Sequence, residues 1–133
     1  MKSVLEGFAA RQATSKLTEG EISRMEELNQ ELRHCYEKSD IASMVPVHNE
    51  FHEIFVNAAG NEQLAGLIRS LVNRFQRYRI ALSHTSAIEE SICVHDQIVS
   101  AFRERNPEKA SSLVAQNSVQ GSEALMSRLP VSA

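Results

Sequence analysis

Apolar residues recur along this chain every three or four positions, and the breaks between the runs carry residues that start or stop helices. In the first segment Val4, Leu5, Phe8, Ala9 and Gln12 fall at helical spacing. Gly7 lowers the intrinsic helix stability there, so the segment depends on tertiary support. A second helix has a clear start: Thr18 can cap, Glu21 completes a capping box, and Leu17 with Ile22 are placed for a hydrophobic staple. Its buried stripe runs Ile22, Met25, Leu28 or Asn29, Leu32, Cys35 and Tyr36. Ser39 or Asp40 can cap the next stretch, but Pro46 removes a backbone donor inside it, which predicts a short turn and a fresh helix, or a kink. Val47, Phe51, Ile54, Phe55 and Ala58 then form a core face that ends at Gly60, suited to a left-handed stop, with Asn61 as the next cap. The fourth helix is the longest, with Leu64, Leu67, Ile68, Leu71, Val72, Phe75, Tyr78 and Leu82 on its stripe. Ser86 and Glu89 form another capping box before Ile88, Ile92, Ile98, Val99 and Phe102, and Asn106-Pro107 opens the last helix. The pattern predicts an all-α antiparallel bundle of about six helices with short connections.

Composition supports that reading. A chain of 133 residues that is 42% hydrophobic fits one domain with a real core, and 5% aromatics with only three prolines and five glycines suits helices better than a sandwich of short strands. A net charge of −3 offers no basic surface to neutralise phosphates, so these residues alone are a poor DNA binder. Cys35 and Cys93 lack CxxC spacing and are expected to be reduced, buried thiols. No apolar run approaches the ~20 residues that span a bilayer, and the N-terminus lacks a continuous apolar stretch, so no membrane and a cytoplasmic location are expected.

The local feature richest in chemistry is His48-Asn49-Glu50-Phe51-His52, because imidazoles four apart on a helix share a face and can converge on one ion. The bland alternative is a chance surface pair. His95 sits on the apolar stripe of its helix, seven residues after Ile88 and seven before Phe102, and should point inward, where it needs a partner. It can be a ligand or simply a core histidine bonded to a neighbour. On the last helix Asn117 is the polar member of an inward face with Ala110, Val114 and Gly121, and it too must be satisfied.

With these residues in place, the chain resembles the FadR C-terminal domain (FCD) class of GntR-family regulators over essentially its whole length. Leu5-Glu6-Gly7-Phe8-Ala9-Ala10 is similar to that family's opening "LEg-AA", and Phe51-His52 followed by Ala58-Ala59-Gly60-Asn61 is similar to its "FH…aaGN". His95, Ile98, Ala101, Asn106 and Ala110 look like its "eH..I..A…gD…A" segment, with Asn106 where Asp is usual.

The resemblance implies a divalent metal in the bundle core, held in many members by an aspartate four residues before the FH histidine, that histidine, the "eH" histidine and a last histidine on the final helix. Carried over, His48 takes the aspartate's place, His52 and His95 match, and Asn117 takes the last histidine's place. The set is then less anionic and richer in nitrogen, which favours zinc or nickel, while an asparagine oxygen is a weak ligand for such ions. A pocket that binds an organic anion directly, with Arg74 and Arg77 as donors, is the alternative. The resemblance further implies a small carboxylate effector and a homodimer. It makes residues 1–133 the effector-binding and dimerisation domain, with DNA contacted only through an N-terminal winged helix-turn-helix domain absent from this chain. Two rival classes remain. A three-histidine zinc site with an exchangeable water could be catalytic, but Glu50, the nearest base, points away from the His48/His52 face by helical geometry. A passive dimer with a vestigial pocket would use the long fourth helix as its interface.

Overall fold

Capping chemistry sets most of the helix boundaries. The computed structural model describes the backbone of residues 2–82 and 86–128, and the side chains of residues 2–40, 42–72 and 88–118. Within them six helices follow one another: α1 (Lys2–Ala13), α2 (Glu19–Glu37), α3 (Ile41–Ala58), α4 (Glu62–Leu82), α5 (Ser86–Arg103) and α6 (Pro107–Arg128). The Thr18 hydroxyl accepts from Glu21 N–H at 3.1 Å while the Glu21 carboxylate accepts from Thr18 N–H at 2.9 Å, the expected reciprocal box. Asp40, Asn61 and Asn106 each accept a backbone N–H three residues on, at 3.3, 3.1 and 3.1 Å. Gly60 takes φ +74° after α3, as its position predicted. Ser39 (φ 57°) and Arg105 (φ 55°) make similar left-handed stops without being glycine. Each is followed by an N–H reaching back five residues, from Asp40 to Cys35 and from Asn106 to Ala101.

The expected fresh start after Pro46 does not occur. Helix α3 runs unbroken through it. The amide that proline lacks would have met only the Ala42 carbonyl, near the helix start. Met44, Val45 and Phe51, buried on either side of the proline, hold the segment against the core.

Helix α1 packs along α6, α2 lies against α3 and α5, and α5 also meets α6. The main core gathers Ala10, Met25, Phe51, Phe55, Ile98 and Phe102 from α1, α2, α3 and α5, and α6 adds Val114; Leu32, Cys35, Met44 and Ile92 form a smaller cluster. Along α1 the inward face differs from the expected stripe. Glu6, Gly7, Ala9, Ala10 and Ala13 are buried, while Val4 and Phe8 are 69% and 47% exposed. The cause is close approach: a Cβ at Gly7 would stand 3.3 Å from the Ser111 carbonyl, so α1 meets α6 through its small residues. Leu67 likewise faces outward, and Cys93 is exposed, contrary to the expected buried thiol, whereas Cys35 is buried. Burial raises the Cys35 thiol above its ordinary pKa, with the nearby Asp40 and Glu31 adding to it. The Ser86 side of the expected Ser86–Glu89 box, and the side chains of Phe75, Tyr78 and Leu82, lie outside the described residues.

Candidate metal centre

Three helices bring four of the sequence-selected residues to one buried point. His48 and His52, one turn apart on α3, stack with ring centroids 4.7 Å apart. His95 enters from α5, fully buried, its ring lying flat on Phe51 at 4.2 Å. His52 Nε2 and His95 Nε2 are 3.4 Å apart, and the Asn117 Oδ1 atom of α6 is 3.3 Å from the same His95 nitrogen. One ring nitrogen from each of His48, His52 and His95 lies within 4.8 Å of the others, so the cluster can hold a metal ion.

The protonation of His95 follows from its neighbour on α2. Asn29 is buried and donates through its amide nitrogen to the Ile92 carbonyl at 3.0 Å and the Asp96 carboxylate at 2.7 Å. Both of those partners only accept, which orients the amide and leaves its oxygen facing His95 Nδ1 at 3.1 Å. An oxygen there requires a proton on Nδ1. In the neutral ring the Nε2 lone pair therefore points into the site, as metal ligation demands. Arg33 holds the other Asp96 oxygen at 2.9 Å and so braces the chain Arg33–Asp96–Asn29–His95 from the surface inward. The Asp96 carboxylate raises the Arg33 pKa.

These spacings suit an ion. Two donors bound at ~2.05 Å in tetrahedral geometry stand about 3.3 Å apart, close to the observed 3.4 Å between the histidine nitrogens and 3.3 Å to Asn117. The chemistry of the donor set agrees, since imidazole nitrogens and an amide oxygen are the donors that meet there. Ser91, one turn before His95, lies 3.4 Å from its Nε2 and accepts from the Asn117 amide nitrogen at 2.9 Å, which turns the Asn117 oxygen toward the histidines.

A buried carboxylate completes the surroundings. Glu6 of α1 is fully buried; its Oε1 pairs with Lys2 at 3.3 Å, and its Oε2 lies 3.9 Å from His52 Nδ1. The residues that pattern reading passed over are Asn29, Ser91 and Glu6. A polar residue on an apolar stripe was the available signal for Asn29, and an acid among glycine and alanines was the signal for Glu6. Arg74 and Arg77 lie outside the residues whose side chains are described. Arg69, on the same helix, pairs with Glu53 at 3.1 Å at the surface. Glu50 is half exposed and pairs with Arg24 at 2.9 Å, away from the histidines.

Residues 1–117 match the FCD domain family. The chain belongs to that family, the C-terminal domain of GntR-family regulators. As an FCD domain it is a regulatory unit of a non-enzymatic family. Its fold matches that of E. coli McbR/YncC with a TM-score of 0.86 at 20% identity, over 96% of this chain and 65% of that one. The chain thus spans 65% of the length of that protein, and the likeness speaks for the fold. No curated protein sequence matches it. Among the described residues no helix is long and apolar enough to cross a membrane.

Proposed function

We propose that this FCD domain senses a small organic acid through a divalent metal held by His48, His52 and His95, with Asn117 beside them, and passes the signal on as part of a homodimeric, cytoplasmic GntR-type transcription regulator. The observation that carries this reading is the fixed orientation of His95: a buried imidazole held by Asn29 with its lone pair facing a second imidazole at 3.4 Å. A ring kept only for packing needs the acceptor at Nδ1 but not a second imidazole nitrogen facing its Nε2. Nitrogen-rich, weakly anionic ligation favours zinc or nickel over manganese or magnesium. When bound, such an ion supplies a Lewis-acidic point with open positions for a carboxylate. The protein's own part is to hold the imidazoles, keep the Nε2 lone pairs directed inward, and exclude bulk water with the Phe51 ring packed on His95. DNA contact is assigned to a winged helix-turn-helix domain outside these 133 residues. Val4 and Phe8 on α1 and Leu67 on α4, the large exposed apolar side chains on two elements in contact, favour those helices as the dimer surface.

The test is metal content and thermal stability of the purified domain as isolated, after chelation, and after re-addition of zinc, nickel or manganese. Stoichiometric metal whose removal lowers the melting temperature, with no response in His52→Ala or His95→Ala, is the expected result. A domain with no metal and no shift, still dimeric by sedimentation, would favour a direct anion pocket or a passive dimer instead.

A further inference from the structure

We propose that Glu6 is a positioning residue for the metal centre: its carboxylate, 3.9 Å behind His52 Nδ1, favours the proton on that nitrogen by charge, leaves the Nε2 lone pair of the ring toward the ion, and so ties α1 to the site. The inference rests on the metal-centre reading for its consequence, though not for the contact itself. Three observations carry it. Glu6 is fully buried on a face otherwise made of Gly7, Ala9, Ala10 and Ala13, where packing against α6 requires only small side chains. A buried carboxylate is costly to retain, and stability alone is served at least as well by an apolar residue. The two oxygens are also differently engaged. Oε1 meets Lys2, which reaches on to Ser118 at 3.3 Å beside Asn117, whereas Oε2 faces His52 Nδ1 at 3.9 Å and neither oxygen accepts a hydrogen bond from a described residue. Finally, the opposite nitrogen of the same ring is the one that stands 3.4 Å from His95 Nε2. An acceptor behind Nδ1 and an ion before Nε2 is the arrangement by which outer carboxylates orient ligating histidines. Glu6 thus stands behind Nδ1 of His52 as Asn29 stands behind Nδ1 of His95, at an ion-pair distance of 3.9 Å where Asn29 hydrogen-bonds at 3.1 Å. It is also, among the described residues, the buried carboxylate of a site whose inner ligands carry no negative charge.

The test uses the metal-free domain and its zinc complex with wild type, Glu6→Gln and Glu6→Leu. Long-range nitrogen–proton NMR of the metal-free protein should show His52 as the Nδ1–H tautomer in wild type and in Glu6→Gln, whose amide oxygen can still face the ring. In Glu6→Leu the proton should move toward Nε2. Zinc affinity, read by competition with a chromophoric chelator, should fall about 10- to 100-fold in Glu6→Leu and by a smaller factor in Glu6→Gln. An Nε2–H ring in the wild type, or zinc affinities within twofold of wild type in both variants, overturns the proposal. Should Glu6→Leu fail to fold, the Gln variant's zinc affinity and the wild-type tautomer still decide. Wild type that binds no zinc removes the metal reading, while the tautomer result continues to judge the Glu6–His52 contact separately.

Discussion

Replacing Asn29 by leucine, close to it in size and without hydrogen-bonding groups, tests the core of the argument. Asn29 is 1% exposed and joins three partners. Of these, Asp96 keeps Arg33 and water, and the Ile92 carbonyl loses a supplementary donor only. The loss that matters is at His95, whose buried Nδ1–H would have no acceptor, a cost of about 1–3 kcal/mol. Burying an apolar side chain in place of the amide offsets roughly 1 kcal/mol of that. The net destabilisation is then about 1 kcal/mol, or a melting-temperature drop of about 4 °C for a domain of this size. The ring also has a way out, by moving its proton to Nε2, and that directs a hydrogen into the site. Zinc affinity should therefore fall about 10- to 100-fold, more than so small a change in stability would suggest. The assay pairs thermal unfolding of the chelated protein with zinc titration by chelator competition. A variant that binds zinc within twofold of wild type would refute the tautomer reasoning, whatever its melting temperature.

Other expectations follow from single features. Thr18→Ala removes the hydroxyl that accepts from Glu21 N–H in the capping box at α2 and should cost about 1 kcal/mol in denaturant unfolding with no change in zinc affinity. Glu50→Ala breaks a half-exposed ion pair with Arg24, so stability should stay within about 0.5 kcal/mol and zinc binding should be untouched; a loss of zinc binding would place Glu50 in the site after all. In native protein near neutral pH a thiol reagent should modify Cys93 readily, while Cys35, buried and with its pKa raised, reacts only on unfolding; equal rates would contradict the burial assigned to α2.

Helix periodicity and capping residues made the architecture legible before any coordinates. Thr18, Gly60, Asn61 and Asn106 act where they were expected to, because a cap is a local bargain between a side chain and backbone groups a few residues away. The non-glycine stops at Ser39 and Arg105 were not legible, since a left-handed residue other than glycine carries no sequence mark. Pro46 misled for a related reason: its local penalty is real, but the burial of Met44, Val45 and Phe51 around it prevails.

The inner residues of the site could be read from the sequence because helical spacing alone places His48 and His52 on one face, and His95 and Asn117 on inward stripes of their own helices. Which residues stand behind them could not. The Asn29–His95 and Glu6–His52 contacts join positions 66 and 46 residues apart, and only the packing of α2 on α5 and of α1 on α3 brings them together. The same holds for the α1 face: periodicity points to Val4 and Phe8, yet α6 comes so close that glycine and alanines are what fit. Sequence by itself determined the helices, the residue types at the centre and the family; tertiary structure decided ring orientation and outer support, because those depend on distances between helices that no local pattern encodes.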